Sequence, residues 1–558
     1  MAQTPATVIG LDGASFTWLQ PFMDGGVMPA LAGLQQRGVC APLASTTPPF
    51  TASAWSSLIT GQNPGGHGVL SFQTRDRFNY DTSGSGFSNA SRFTHTLWEI
   101  MSQHERRVCI LNVPMTYPPI PVNGVMVTGM LTPPGARFTY PPEVADSLGP
   151  GYRIDVNFLR EGERFKLNGM PPKKEMLREI RQVTQAHLDG CARLLATQTF
   201  DFFMVVFTGT DRLSHFFWDD LTQLLASNLQ PASKIQEDIL DYCRQLDEGI
   251  ARLLDQRGEQ QNVFVISDHG FGPAPNRRFY VNIWLEQAGL LKLPEPDQGV
   301  DLQHWRYKLA RIGWLKALLR RLLPQRAQDS VTSATTRPNS QPCDWTRTKA
   351  YFVPIYFHVC GIELNVAGRQ RDGFIQPGSA EYEMLRDQII QDALRLVDPQ
   401  TGQPFVSEAR RREALYSGPY VETFPDIILV LDPLYIGAGS LAGSQLVEPH
   451  PDPMRPGEHR EAGVFMAAGP DIQVGNQIED LALLDMPPTL LQALGLPIPG
   501  YFDGRSCQEL FTADFRKANP LRIQEMDRPA LVQESGAPLA RQQEQELEDR
   551  LRGLGYLD

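Results

Sequence analysis

Phe202-Phe203-Met204-Val205-Val206-Phe207 is an unbroken apolar run, and beyond Thr208-Gly209-Thr210 comes Asp211-Arg212-Leu213-Ser214-His215. A second run, Val263-Phe264-Val265-Ile266, leads into Ser267-Asp268-His269-Gly270. Runs this short and this apolar, bounded by Gly and polar residues, read as strands buried on both faces, the pattern of a parallel sheet rather than of a half-wetted antiparallel one. Each delivers a carboxylate and an imidazole at its carboxyl end, where open α/β sheets build their sites. Asp with His is the ligand set of a hard-to-borderline divalent cation such as Zn²⁺ or Mn²⁺. These two stretches therefore predict an α/β fold with a metal site at its strand ends.

Working outward, runs of the same character recur at Val8 to Leu11, Val108 to Leu111, Val125 to Val127, Ile427 to Leu431 and Val464 to Ala467. Amphipathic stretches lie between several of them, Lys174 to Leu195 and Lys234 to Leu254 among them, so a largely parallel sheet covered by helices is expected. Segments that break the rhythm read as insertions, at roughly 70–105, 131–172 and 275–420. The expected organisation is a core made of 1–274 and 421–515, an inserted cap that sets specificity at 275–420, and a charged tail at 516–558 holding a helix-like stretch from Gln542 to Leu551. Within the insertion, Trp305 to Arg326 carries seven Lys or Arg and no acid, with apolar residues at helical spacing. It reads as a cap helix packed by its Leu/Trp face, with contact to an anionic membrane surface the less favoured reading. Ser330 to Pro342, rich in Ser, Thr and Pro, reads as a mobile loop.

At 558 residues the chain is too long for one hydrophobic core. Its 42% hydrophobic and 20% charged content is that of an ordinary globular protein. A formal charge of −12 argues against a nucleic-acid partner, because phosphate contacts need clustered Lys and Arg. The seven cysteines are scattered and show no CxxC spacing, which suggests neither a disulfide framework nor a thiolate zinc site and points to a reducing compartment. No basic n-region precedes the Ala6 to Leu11 run, and no stretch approaches the ~18 apolar residues of a membrane span. The expected location is the cytoplasm.

Three further places offer chemistry. The first strand ends in Leu11-Asp12-Gly13. A Pro-rich turn, Thr46-Thr47-Pro48-Pro49-Phe50, leads into Thr51-Ala52-Ser53-Ala54-Trp55-Ser56-Ser57-Leu58-Ile59-Thr60 and a closing Gly61, so Thr51 stands at a helix start, where backbone N–H groups favour an anion. Late in the chain Gly457-Glu458-His459-Arg460 precedes the Ala462 to Ala468 run. Each has a bland reading: Asp-Gly as a turn, Thr51 as a plain helix cap, His215 as a core histidine beside Phe216, Phe217 and Trp218. Five such places together favour a metal site. Of the other histidines, His67 reads as a loop residue supporting the Thr51 helix and His450 as exposed; His95, His104, His187, His304 and His358 lack companions.

Asp12, Thr51 placed nine residues before Thr60-Gly61, Asp211-x-x-x-His215, Asp268-His269 and His459, in that order, resemble the metal and nucleophile positions of the alkaline phosphatase superfamily, in its type I phosphodiesterase/nucleotide pyrophosphatase branch. Asp485 to Gly495 and Asp503-Gly504 are similar to the segment that closes the core in sulfatase-like members. The resemblance implies a mostly parallel sheet sandwiched by helices with an inserted cap. It implies two divalent ions, Zn²⁺ or else Mn²⁺, one on Asp211, His215 and His459, the other on Asp12, Asp268, His269 and the Thr51 oxygen. It further implies a small phosphoester substrate and attack by Thr51 to give a phosphothreonine, with the Ala52 N–H helping to hold the developing charge. Two departures accompany it. Phe72 stands where nucleotide pyrophosphatases carry a phosphate-binding Asn, and Thr51-Ala52-Ser53-Ala54-Trp55 lacks the Cys and Arg of the sulfatase C-x-P-x-R signature. Sulfatase activity is therefore disfavoured, phosphodiester or pyrophosphate cleavage is the leading expectation, and a phosphomonoesterase or phosphomutase is the alternative. A metal-binding module without catalysis is disfavoured, since it gains nothing from an activated hydroxyl.

Overall fold

A computed structural model describes residues 3–80, 95–158, 171–294, 343–450, 455–526, 541–554 and 556. The basic stretch Trp305 to Arg326, the loop Ser330 to Pro342 and His304 lie outside them. The chain divides into two compact units, one made of Met1–Val69, Asn89–Pro273 and Met454–Asp558, the other of Leu70–Ser88 and Ala274–Pro453.

The first unit is built on an eight-stranded sheet in the order β2 (Val39–Ala44), β17 (Ala462–Ala468), β7 (Asn262–Ile266), β1 (Ala6–Leu11), β6 (Phe202–Phe207), β3 (Val108–Val113), β4 (Gly124–Thr128) and β5 (Thr139–Tyr140). Strands β7, β1, β6, β3 and β4 are parallel; β17 runs antiparallel to both β7 and β2, and β5 antiparallel to β4. Every residue of β1, β3, β6 and β7 is buried, as continuous apolar runs in a covered parallel sheet should be. The amphipathic stretches form the helices Lys173–Thr197 and Lys234–Arg257, which pack on each other through their apolar faces. This is the mixed α/β architecture with a large, mostly parallel sheet that the pattern predicts.

Register decides where the site forms. Leu11 pairs with Phe207 and Gly10 with Ile266, so the central three strands end at one level. Asp12, the start of the Gly209–Ala226 helix and Ser267-Asp268-His269 consequently emerge side by side. A short antiparallel pair, β8 (Gly270–Pro273) with β16 (Gly457–Arg460), sets His459 opposite Phe271 just beyond the end of β7. Among the described residues no helix is long and apolar enough to cross a membrane.

The second unit has a core of its own. It contains β9 (Arg277–Tyr280), β10 (Ala350–Tyr356), β11 (Val359–Leu364), β12 (Val406–Arg411), β13 (Ile427–Leu431), β14 (Tyr435–Ala438) and β15 (Val447–Pro449). Strands β10, β11, β13 and β12 make an antiparallel sheet; β14, β9 and β15 make a smaller mixed one. One expectation is corrected here. The run Ile427 to Leu431, read as a strand of the parallel sheet, is the strand between β11 and β12 of the antiparallel sheet, because an apolar run buried on both faces has the same pattern in either setting.

Candidate active site

Asp12, Thr51, Asp211, His215, Asp268, His269 and His459 are all buried, and all gather at the carboxyl ends of β1, β6 and β7. Asp211 and His215 lie one turn apart on the Gly209–Ala226 helix, with Asp211 Oδ1 and His215 Nε2 3.4 Å apart. His459 Nε2 comes within 3.3 Å of the same Asp211 oxygen and 3.0 Å of His215 Nε2. His269 Nε2 lies 3.3 Å from Asp268 Oδ2 and 3.7 Å from Asp12 Oδ1. Three groups of side chains bring ligand atoms close enough to share an ion: Asp12 with Asp268 and His269, Asp211 with His269 and His459, and His215 with Glu458 and His459.

The imidazoles are oriented by the backbone. His459 Nδ1 lies 3.1 Å from Pro49 O and His269 Nδ1 3.2 Å from Gly270 O, each in reach to donate, while His215 Nδ1 lies 3.0 Å from Gly457 O and 2.8 Å from Arg455 Nη2. For His459 and His269 a carbonyl partner at Nδ1 leaves the Nε2 lone pair facing the centre, the arrangement that fixes the tautomer of a metal-ligating histidine. Burial holds His215 and His269 well below the ordinary imidazole range, so both are neutral donors. Gly457 tolerates no side chain, since a Cβ there would fall 2.0 Å from Ser214 O.

The carboxylates carry the fit to a cation. Asp12 Oδ1, Asp211 Oδ1 and Asp268 Oδ2 are buried with no hydrogen-bond partner. Their other oxygens are occupied: Trp55 Nε1 donates to Asp12 Oδ2 at 3.0 Å, Gly13 N to Asp268 Oδ1 at 3.1 Å, and Tyr556 OH to Asp211 Oδ2 at 2.7 Å. Burial, reinforced by Asp268 and Asp211, pushes the Asp12 carboxyl well above its usual range, and burial does the same to Asp268. Three buried carboxylate oxygens without a hydrogen-bond partner are costly to keep ionised unless positive charge meets them. A donor set of carboxylate oxygens and imidazole nitrogens suits divalent Zn or Mn.

Thr51 is the first residue of the Thr51–Thr60 helix, after Phe50, which makes no side-chain cap. Its Oγ1 is therefore not engaged as a cap and lies 3.3 Å from His269 Nε2. Nearby hydroxyls are engaged elsewhere: Ser53 Oγ donates to Pro48 O and Phe50 O, each at 3.0 Å, and Thr46 Oγ1 to Pro48 O at 2.8 Å. His67 is not a loop residue but closes a short buried helix, Pro64–His67, and reaches Ser57 Oγ on the Thr51 helix at 2.9 Å. His450 is half-buried, receiving a hydrogen bond from Arg278 in the second unit. His187 is buried against Arg153 O, and Phe72 is a buried residue of the second unit.

Several participants escaped the sequence reading. Trp55 and Arg212 sit inside motifs that were recognised, yet hydrogen bonding to Asp12 and Asp211 leaves no mark in spacing. Glu458 adjoins His459, and Arg455 brings Nη2 within 2.8 Å of His215 Nδ1 and 3.1 Å of its Nε2. Tyr556 comes from the tail.

The sequence profile of the type I phosphodiesterase/nucleotide pyrophosphatase family matches residues 6–340. No curated protein sequence matches. Among solved structures, phosphonoacetate hydrolase from Sinorhizobium meliloti 1021, in complex with phosphonoacetate, is similar with a TM-score of 0.48 and 14% identity, over 87% of this chain and 94% of that one. Human ectonucleotide pyrophosphatase/phosphodiesterase 5 is similar with a TM-score of 0.43 and 12% identity, over 88% and 95%.

Proposed function

The chain belongs to the type I phosphodiesterase/nucleotide pyrophosphatase family of the alkaline phosphatase superfamily, metal-dependent hydrolases of phosphoesters, and from that premise we propose that it cleaves a small phosphodiester or nucleotide pyrophosphate through a phosphothreonine on Thr51. The observation that supports this most is the set of three partnerless carboxylate oxygens facing three Nε2 atoms, with the Thr51 hydroxyl at its edge. Asp211, His215 and His459 would hold one divalent ion, and Asp12, Asp268, His269 and Thr51 the other, Zn²⁺ being the first choice and Mn²⁺ the second. Bound there, the ions supply charge neutralisation at the phosphoryl oxygens and an acidified Thr51 hydroxyl.

The protein's own groups do the rest. Thr51 Oγ gives up its proton to solvent and attacks phosphorus, and the bond to the leaving oxygen breaks with its electron pair. The first-turn amides of the Thr51–Thr60 helix, Ala52 N–H among them, point at the charge that develops. Water then attacks the phosphothreonine, and Thr51 Oγ departs and regains a proton. The inserted region is assigned control of substrate choice, and seven free thiols suit a cytoplasmic setting.

Rapid acid quench with a radiolabelled or chromogenic diester, followed by mapping of the phosphorylated peptide, tests the reading. Thr51→Ala should abolish turnover while fold and metal content persist, and Thr51→Ser should keep part of it. Phosphate on Ser53 or Thr47, or full activity in Thr51→Ala, would overturn the assignment.

A further inference from the structure

The tail, read from sequence as charged with a helix-like stretch from Gln542 to Leu551, carries Tyr556 into the site. Its helix, Arg541–Gly553, buries Leu547 and Leu551, with Leu554 just beyond, and Tyr556 N donates back to Leu551 O at 2.8 Å. That turn drives the Tyr556 ring between Phe50, at 5.9 Å between ring centres, and His215, at 5.7 Å, while the Arg212 guanidinium lies over its face at 5.3 Å. The phenol is fully engaged. It donates to Asp211 Oδ2 at 2.7 Å and accepts from Arg212 Nη1 at 2.6 Å. Arg212 also donates to Asp211 Oδ2 and, through Nη2 at 2.8 Å, to Asp155 Oδ2. Asp155 is fixed in turn by the Val156 amide at 2.8 Å and by Thr208 Oγ1 at 3.2 Å.

One oxygen of Asp211 is therefore clamped by two donors from different parts of the chain, and the other, Oδ1, is left bare toward His215 and His459. A carboxylate that accepts from a phenol and a guanidinium on one oxygen cannot rotate that oxygen into the centre without breaking both bonds. We propose that Tyr556 is a positioning residue: it fixes the Asp211 carboxylate so that Oδ1 alone is presented as a metal ligand, which makes the C-terminal helix a working part of the active centre.

This rests on the metal-site reading above, and the test separates the two. Full-length protein, stripped with chelator, is titrated with Zn²⁺ by calorimetry as wild type, Tyr556→Phe and Leu551→Ala, with the metal-free Tm recorded for each. Tyr556→Phe keeps the ring and its packing and removes only the hydroxyl, whereas Leu551→Ala loosens the helix and keeps it. Loss of an outer partner of a metal ligand costs about 10- to 100-fold in affinity. The expected result is a loss of that size at one of two sites in Tyr556→Phe, the other site unchanged, and a smaller metal-affinity loss in Leu551→Ala for each degree of Tm lost. Wild-type affinity at both sites in Tyr556→Phe, or a loss in both variants that merely follows Tm, overturns the positioning role while leaving the metal sites standing. Wild type that binds no Zn²⁺ overturns the metal reading and the inference together.

Discussion

Gly13→Ala should disturb the site more than one methyl group suggests. Gly13 follows Asp12 with φ +63°, in the left-handed region, where an L side chain costs about 1–2 kcal/mol. Its Cβ would also fall 2.6 Å from a Phe271 ring carbon and 3.1 Å from the Asp211 Cα. Carbon contacts settle at about 3.5–4.0 Å, so the ring must recede by about 1 Å, and overpacking of this kind costs about 1–3 kcal/mol. The sum is about 2–5 kcal/mol of stability. Phe271 cannot move alone, because its ring leans on His215 at 4.7 Å and His459 at 5.0 Å between centres. A displacement of about 1 Å at reacting groups is worth about 100-fold in rate. Denaturant unfolding gives the stability and turnover of a chromogenic phosphodiester gives kcat. A variant within 0.5 kcal/mol of wild type and within twofold in kcat would refute both the strain at Gly13 and the role of Phe271 in holding the two imidazoles.

Two more outcomes follow from buried hydrogen bonds. Trp55→Phe removes the donor to Asp12 Oδ2 and leaves that oxygen unsatisfied, so denaturant unfolding of metal-free protein should show a loss of about 1–3 kcal/mol; a loss below 0.5 kcal/mol would mean the bond contributes little. His67 accepts from Val69 N at Nδ1 and burial holds its pKa down to about 3, so the folded state keeps it neutral while the unfolded chain protonates it near 6.5. Stability from His67 is thus whole above about pH 6.5 and is lost as pH falls toward 3, and His67→Gln should flatten the stability–pH slope in that window by about one proton; an unchanged slope would contradict it.

The parts of the site that local sequence encodes were legible. Asp12, Asp268 and His269 directly follow strands, and Asp211 with His215 sits four apart near a strand end; a residue that follows an apolar run on a parallel strand has one place to go. The second unit was less so. Its strand β13 is as apolar as any in the central sheet, and only pairing partners distinguish the two, which a single run does not carry. Tyr556 depends wholly on where its helix docks. The spacing of Leu547, Leu551 and Leu554 does signal a helix with one buried face, but nothing in it says which surface that face meets. Trp55 and Arg212 belong to a similar class: their neighbours in sequence announce the site, while their partners are set by the tertiary fold.

Strands β8 and β16 lie side by side, although the chain from Ala274 to Pro453 leaves after the one and returns before the other. In topological terms the inserted unit hangs from a hairpin whose turn has been expanded into a domain. The entropy of closing such a loop grows only by about 0.6 kcal/mol for each doubling of its length. The ladder that carries His459 is therefore nearly indifferent to how much chain is threaded between its strands. Recombination can lengthen, trim or exchange the inserted unit at that seam while the ladder, and His459 on it, stay in register.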